Sequence, residues 1–236
     1  MGRTKNFFIL GVLSFIIVIA AGHSGLSSQL QLTTAEEAHL VFMRSEEKLA
    51  RDVYLTLAAQ YPAQSTFITI ATQSEQTHTD TMKNTLETFN IDDPEPNADE
   101  LPAAIGVFEN PYFSAYFEGK YDYLTAAATT LLSALKVGAL IEELDMLDIN
   151  YCNDAVYEYF PLPAGTPCGL TATDVIALEN TLGNLLEGSE SHLCAFISQI
   201  GAISPECYTA QIIEQNEVLS IINNNCPEFA GFVCEP

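Results

Sequence analysis

The sequence predicts an all-α protein: a four-helix bundle with one long crossover, followed by a C-terminal helical, disulfide-containing extension. Three observations predict it. Apolar residues recur at helical spacing through four long segments. Strand-type alternation is weak throughout the chain. The first two helical segments are joined by a short turn, whereas a long Pro- and acid-rich stretch separates the second from the third.

The first helix is expected to start at Thr34, where "TAEE" offers a capping box with Glu37, and to run to about Tyr61. A turn containing Pro62 and Ser65 leads to the second, from about Thr66 to Phe89. There Phe67, Ala71, Glu75, His78, Met82 and Phe89 share one stripe. Residues 90–125 form the crossover. It opens with "IDDPEPNADELP" and continues through "NPYFSAYFEGKYDYL", which reads as short helical turns. The third helix covers roughly Thr125 to Ile149. A loop with Pro161, Pro163, Gly165, Pro167 and Cys168 precedes the fourth, which starts near Thr171 or Thr173 and ends near Ile200. "YTAQIIEQNEVLSIINN" reads as one more helix. The bundle thus takes residues 33–201 and the extension residues 202–236. Two helix pairs joined by one long crossover is the connectivity of the ferritin-like folds.

Composition narrows the partners. The chain has 236 residues, 8 Lys+Arg against 31 Asp+Glu, and a formal charge of −23. This charge disfavours nucleic acid, and none is expected as a partner, because phosphate binding needs clustered cations. Metal ions are compatible with that charge. At the N-terminus, Arg3 and Lys5 precede the apolar run "FFILGVLSFIIVIAA", and small residues offer a cleavage point near Gly22. Residues 1–24 therefore read as a signal peptide or N-terminal anchor, and the protein as exported: extracellular, at the cell surface or periplasmic. An uncleaved segment would tether it to a membrane, and homo-oligomerisation stays open. All six cysteines lie in the second half, with no CxxC pair, which favours disulfides in an oxidising compartment. Cys152 and Cys168 are expected to close one loop, and some of the others to staple the extension.

A degenerate repeat links the two helix pairs. "EEKLARDVY" from Glu46 returns loosely as "EELDMLDIN" from Glu142, and "SEQTH" from Ser74 as "SESH" from Ser189. Each half offers acids on one helix and a His on the next. This is the layout of a carboxylate-bridged dimetal site: one Glu from each of two helices and Glu-x-x-His from each of the other two. Glu75 and His78 are three apart and share a helix face, within an otherwise apolar stripe. The second half departs from the pattern. Glu190 and His192 are two apart, and the residue three before His192 is Ser189, so one carboxylate of the six is missing.

The motifs "EEKLARDVY", "SEQTHTD", "ALKVGALIEELDMLDI" and "GS-x-x-HLCAF", in that order over about residues 38–200, resemble the ferritin-like proteins grouped as domain of unknown function 2202. The resemblance implies a ferritin-like bundle and, through the wider ferritin and rubrerythrin superfamily, a di-iron or other dimetal centre. Glu46 and Glu47 are nearly equally well placed on helix one, and the family pattern selects Glu47. On helix three Glu142 and Glu143 both stay open, since the arc of Leu135, Ala139, Leu140 and Met146 is centred between them; repeat alignment favours Glu143. The candidate metal ligands are therefore Glu47, Glu75, His78, Glu142, Glu143 and His192. His192 faces inward beside Leu185, Ala195 and Phe196. Tyr54 reads as packing, or as a partner of a ligand. Asp145 and Asp148 read as a solvated face, His39 carries no comparable context, and Cys194 reads as a disulfide or buried thiol.

The functional expectation is an exported metal-binding protein holding iron or manganese. Its chemistry, if any, would be Fe(II) oxidation or reduction of O₂ or peroxide. The alternative is a non-enzymatic module that keeps its polar core as a metal-free hydrogen-bonded network. No nucleophile motif, P-loop, GxGxxG or HExxH occurs.

Overall fold

The structure is a computed structural model describing residues 31–163 and 165–236, so the expected export segment lies outside it. The described residues are all-helical, with a single isolated bridge between Tyr208 and Val233 and no strand. Among the described residues no helix is long and apolar enough to cross a membrane.

Helix α1, Thr34–Gln60, begins one residue earlier in register than its sequence suggests. Thr33, not Thr34, is the N-cap, and it forms the capping box with Glu36. Such a cap contributes about 1 kcal/mol. The next helical run folds back along α1 as three joined pieces: α2, Ser65–Thr69; a π-helical segment, Ile70–Glu75; and α3, Gln76–Thr88. The crossover contains more helix than expected. Its second part is α4, Ser114–Ala127, which packs on α1 and α5 through Phe117 and Leu124. Helix α5, Leu131–Asn150, is capped by Thr130 rather than beginning near Thr125. A short α6, Asp154–Tyr159, precedes α7, Ile176–Ile203, whose N-cap is Val175 and not a threonine. Of the expected C-terminal helix only Gln215–Asn225 forms, as α8, followed by a 3₁₀ turn at Pro227–Phe232.

Helices α1 and α3 form one layer of the bundle and α5 and α7 the other. The layers meet along α1–α5 and α3–α7. Between α5 and α7 the approach is close: a Cβ at Gly138 would sit 2.4 Å from the Phe196 ring. That ring in turn packs against Tyr54 and Phe67, with centroids 5.3 and 5.9 Å away.

The disulfides are Cys152–Cys168, Cys194–Cys226 and Cys207–Cys234. The first closes the loop between α5 and α7. The second ties the end of α8 to α7, and the third closes the extension on itself.

Candidate metal centre

Between the layers lies a cluster of five ionisable side chains from five helical segments. Glu47 comes from α1, Glu75 from the end of the π segment, His78 from α3, Glu142 from α5 and His192 from α7. All are buried. Ligating atoms of Glu47, Glu75 and His78 lie within 4.8 Å of one another, as do those of Glu75, Glu142 and His192. Glu75 is common to both groups, with one oxygen toward each imidazole: Oε2 is 3.4 Å from His78 Nδ1 and Oε1 is 2.9 Å from His192 Nδ1. Glu47 Oε2 lies 3.2 Å from His78 Nδ1, and Glu142 Oε2 lies 3.4 Å from His192 Nδ1.

The separations are short but the angles are wrong for hydrogen bonds. Both imidazole Nδ1 atoms and both Glu47 oxygens are buried without a hydrogen-bond partner. A buried polar group with no partner costs free energy, and an unpaired charge costs more. The ligating atoms of each group of three lie close enough together for one cation to reach all of them. The outer atoms support that orientation. His192 Nε2 is 2.7 Å from Ser74 Oγ, which leaves Nδ1 free to face inward. Tyr54, fully buried, donates its hydroxyl to Glu142 Oε1. Gly188 lets the His78 ring lie against α7, where a Cβ would come within 2.5 Å of ring Cε1.

Without a cation the protons settle on the imidazoles. Burial alone would lower His78, but the Glu47 charge outweighs it and holds the ring protonated; Glu142 and Glu75 do the same for His192. Glu75 is held low against its burial, chiefly by His192. Burial pushes Glu47 up.

Of the two candidates on α5, Glu142 joins the cluster and Glu143 does not. Glu143 turns to the extension. Its Oε2 accepts the backbone N–H groups of Gln211, Ile212 and Ile213, at 2.8, 2.6 and 3.1 Å, and its Oε1 accepts the Tyr208 hydroxyl at 2.5 Å. That clamp keeps residues 208–214 out of the helix expected there. The repeat alignment misassigns α5 because the two halves present their acids one residue apart in register. Glu46, the rival on α1, is buried outside both groups. Asp145 and Asp148 are not a solvated face: both are buried, at 5% and 3% exposure. His39 is buried too, its Nε2 2.8 Å from the Asp148 carbonyl, and Cys194 is disulfide-bonded. No sequence signal marks the π segment. Such segments often occur at functional sites, and this one ends at Glu75, where Ser74 and Glu75 both turn toward His192.

Fold and site together define a helical bundle with a buried carboxylate–imidazole centre. Residues 36–158 match the family model described as "Uncharacterized protein domain (DUF2202)", and the chain belongs to that family. It is 35% identical over 194 residues to "Uncharacterized protein MJ0754" of Methanocaldococcus jannaschii, covering 82% of this chain and 90% of that protein. The crystal structure of hypothetical protein MJ0754 is similar, with a TM-score of 0.63 and 37% identity over 78% of this chain and 90% of the other.

Proposed function

We propose that the chain is an exported ferritin-like protein whose bundle holds two metal ions, iron or manganese. Glu47, Glu75 and His78 would hold one, Glu75, Glu142 and His192 the other, with Glu75 shared. The observation that carries this reading is the set of orphaned buried atoms: four ligating atoms with no hydrogen-bond partner, all turned into two groups of hard oxygen and imidazole donors. That donor set suits iron and manganese. The helix order, with one crossover between two pairs, supports the ferritin-like assignment. The three disulfides support export, because such bonds persist in oxidising compartments.

Bound iron or manganese would supply one-electron chemistry toward O₂ or peroxide, or Fe(II) oxidation. The chain's own groups position and insulate. Tyr54 fixes one oxygen of Glu142 and leaves the other for a ligand bond. Ser74 holds the His192 ring at Nε2, so that Nδ1 faces the centre. Phe196, Phe67 and Tyr54 pack together beside the centre and exclude water.

The protonated His78 and His192 favour a second reading, a metal-free ionic network. Metal analysis of the purified mature chain, after exposure to iron, manganese and zinc, separates the two. Two ions per chain, lost in Glu75→Ala, is the expected result. No metal above background, with melting unchanged by chelator, would leave only the network.

A further inference from the structure

The two halves of the proposed centre are unequal in sequence. Glu75 stands three residues before His78, but Ser189 stands three before His192. Ser189 is fully buried, and its hydroxyl hydrogen-bonds the carboxyl of Asp145 on α5. The same hydroxyl lies 3.1 Å from the Leu185 carbonyl of its own helix. One Asp145 oxygen, Oδ2, is therefore occupied by α7 at the position where a glutamate is missing. The other, Oδ1, is buried and has no partner. Asp145 follows Glu142 by three residues, so the two project from one face of α5. Asp145 stands outside both groups of three, but its carboxyl feels the charges of Glu47, Glu142 and Glu75, acids of both.

We propose that Asp145 supplies the carboxylate that α7 lacks, so that the sixth protein ligand of the dimetal centre comes from α5, with Ser189 gripping its outer oxygen. The inference rests on the dimetal reading above. It accounts for three facts together: a buried aspartate with no basic partner, a serine at the departing position, and a hydrogen bond joining the two. A glutamate at 189 would need the space that the Asp145 carboxyl occupies, so the serine and the aspartate act as a pair. Glu46 and Asp148 also press on the region, since the buried Glu46 carboxyl feels the charges of Asp148 and Asp145. Asp148, however, has its own partner in Asn153, at 2.8 Å.

The test is equilibrium dialysis of the full chain against Mn(II), with bound metal counted by mass spectrometry. Wild type is expected to hold two ions per chain, Asp145→Asn one or fewer, and the control Asp148→Asn two. Two ions on Asp145→Asn would overturn the assignment of Asp145 and leave the dimetal centre standing. Fewer than two on wild type would overturn the dimetal reading and this inference with it. Loss in Asp148→Asn equal to that in Asp145→Asn would reduce both to general acidity, and so overturn the assignment. A check independent of variants is the anomalous-scattering map of Mn(II)-loaded crystals. An Asp145 oxygen bonded to an ion supports the proposal; an Asp145 carboxyl engaged only with Ser189 overturns it.

Discussion

On the side of α1 turned to the crossover, Arg44, Lys48 and Arg51 are buried together with acids. Arg44 Nε lies 2.9 Å from Asp93; Lys48 Nζ lies 2.5 Å from Asp52 and donates to the Ala104 carbonyl; Arg51 donates twice to Asp52 and once to the Ala98 carbonyl. Lys48 also sits 4.4 Å above the Phe108 ring. On the side turned to α3 and α5, Glu47 is just as buried and has no Lys or Arg at all. The chain has only 8 such residues, and it places three of them on one face of one helix. It thus neutralises the acids of that face with its own cations and leaves its central acids to two imidazoles. A buried ion pair breaks even at best, and a buried acid without one is costly. The difference between the faces is the ground of the metal proposal: one face of α1 sets its acids against Lys and Arg, the other sets them only against imidazoles.

Three measurements probe that contrast. The largest effect belongs to the self-sufficient face. Asp52 accepts from Lys48, Arg51 and the Gly106 N–H, all from a fully buried position. Asp52→Ala leaves Lys48 buried without a carboxylate and Arg51 with only Asp99, 3.4 Å away, and should destabilise the fold by about 3–5 kcal/mol. Urea denaturation of the chelator-treated protein measures it. Metal per folded chain should not change, because Asp52 touches neither triad.

The second effect is a pH dependence from a histidine with no acid facing it. Burial pushes His39 down to about 4, while its hydrogen bond to the Asp148 carbonyl opposes that only in part. The folded protein then resists protonation at pH values where the unfolded chain, near its ordinary 6.5, accepts it. The unfolded state binds more protons, so stability falls as the pH drops from 6.5 to 4, by about 3 kcal/mol in total. His39→Gln should remove this component. The difference between wild-type and variant urea midpoints, plotted against pH, should slope only in that window. A flat difference would mean that His39 takes up its proton as readily in the fold as in the unfolded chain.

Which parts of this were legible follows the same division. Glu75, His78 and His192 stand out in sequence because each interrupts an apolar stripe at helical spacing. The choice between Glu142 and Glu143 was not legible, since the arc is centred between them. A tertiary event decides it: backbone N–H groups of residues 211–213 close around Glu143. Asp145 and Asp148 read as solvated because aspartates are rarely buried, and the partners that hold them, Ser189 and Asn153, are tertiary contacts or loop residues. The π segment has no propensity signature. Helix α4 buries only Phe117 and Leu124, too few residues to write a stripe. The cap at Thr33 instead of Thr34 reflects two adjacent threonines, each followed three residues later by a glutamate.

The smallest stability effect is the most telling about the two faces. Glu47→Gln keeps the shape of a fully buried side chain whose two oxygens have no hydrogen-bond partner. It removes a buried charge and also the partner that keeps His78 protonated, so His78 can revert to a neutral ring. These changes oppose each other, and the apo protein should shift by no more than about 1 kcal/mol, against several for Asp52→Ala. Metal binding should respond the other way, with the ion of the Glu47 triad lost from Glu47→Gln and both ions kept by Asp52→Ala. Urea midpoints of the two chelator-treated variants, set beside their metal contents, measure the contrast directly. If Glu47→Gln costs as much as Asp52→Ala while metal content stays put, then His78 is the true counter-charge of Glu47, and the two faces of α1 are built alike.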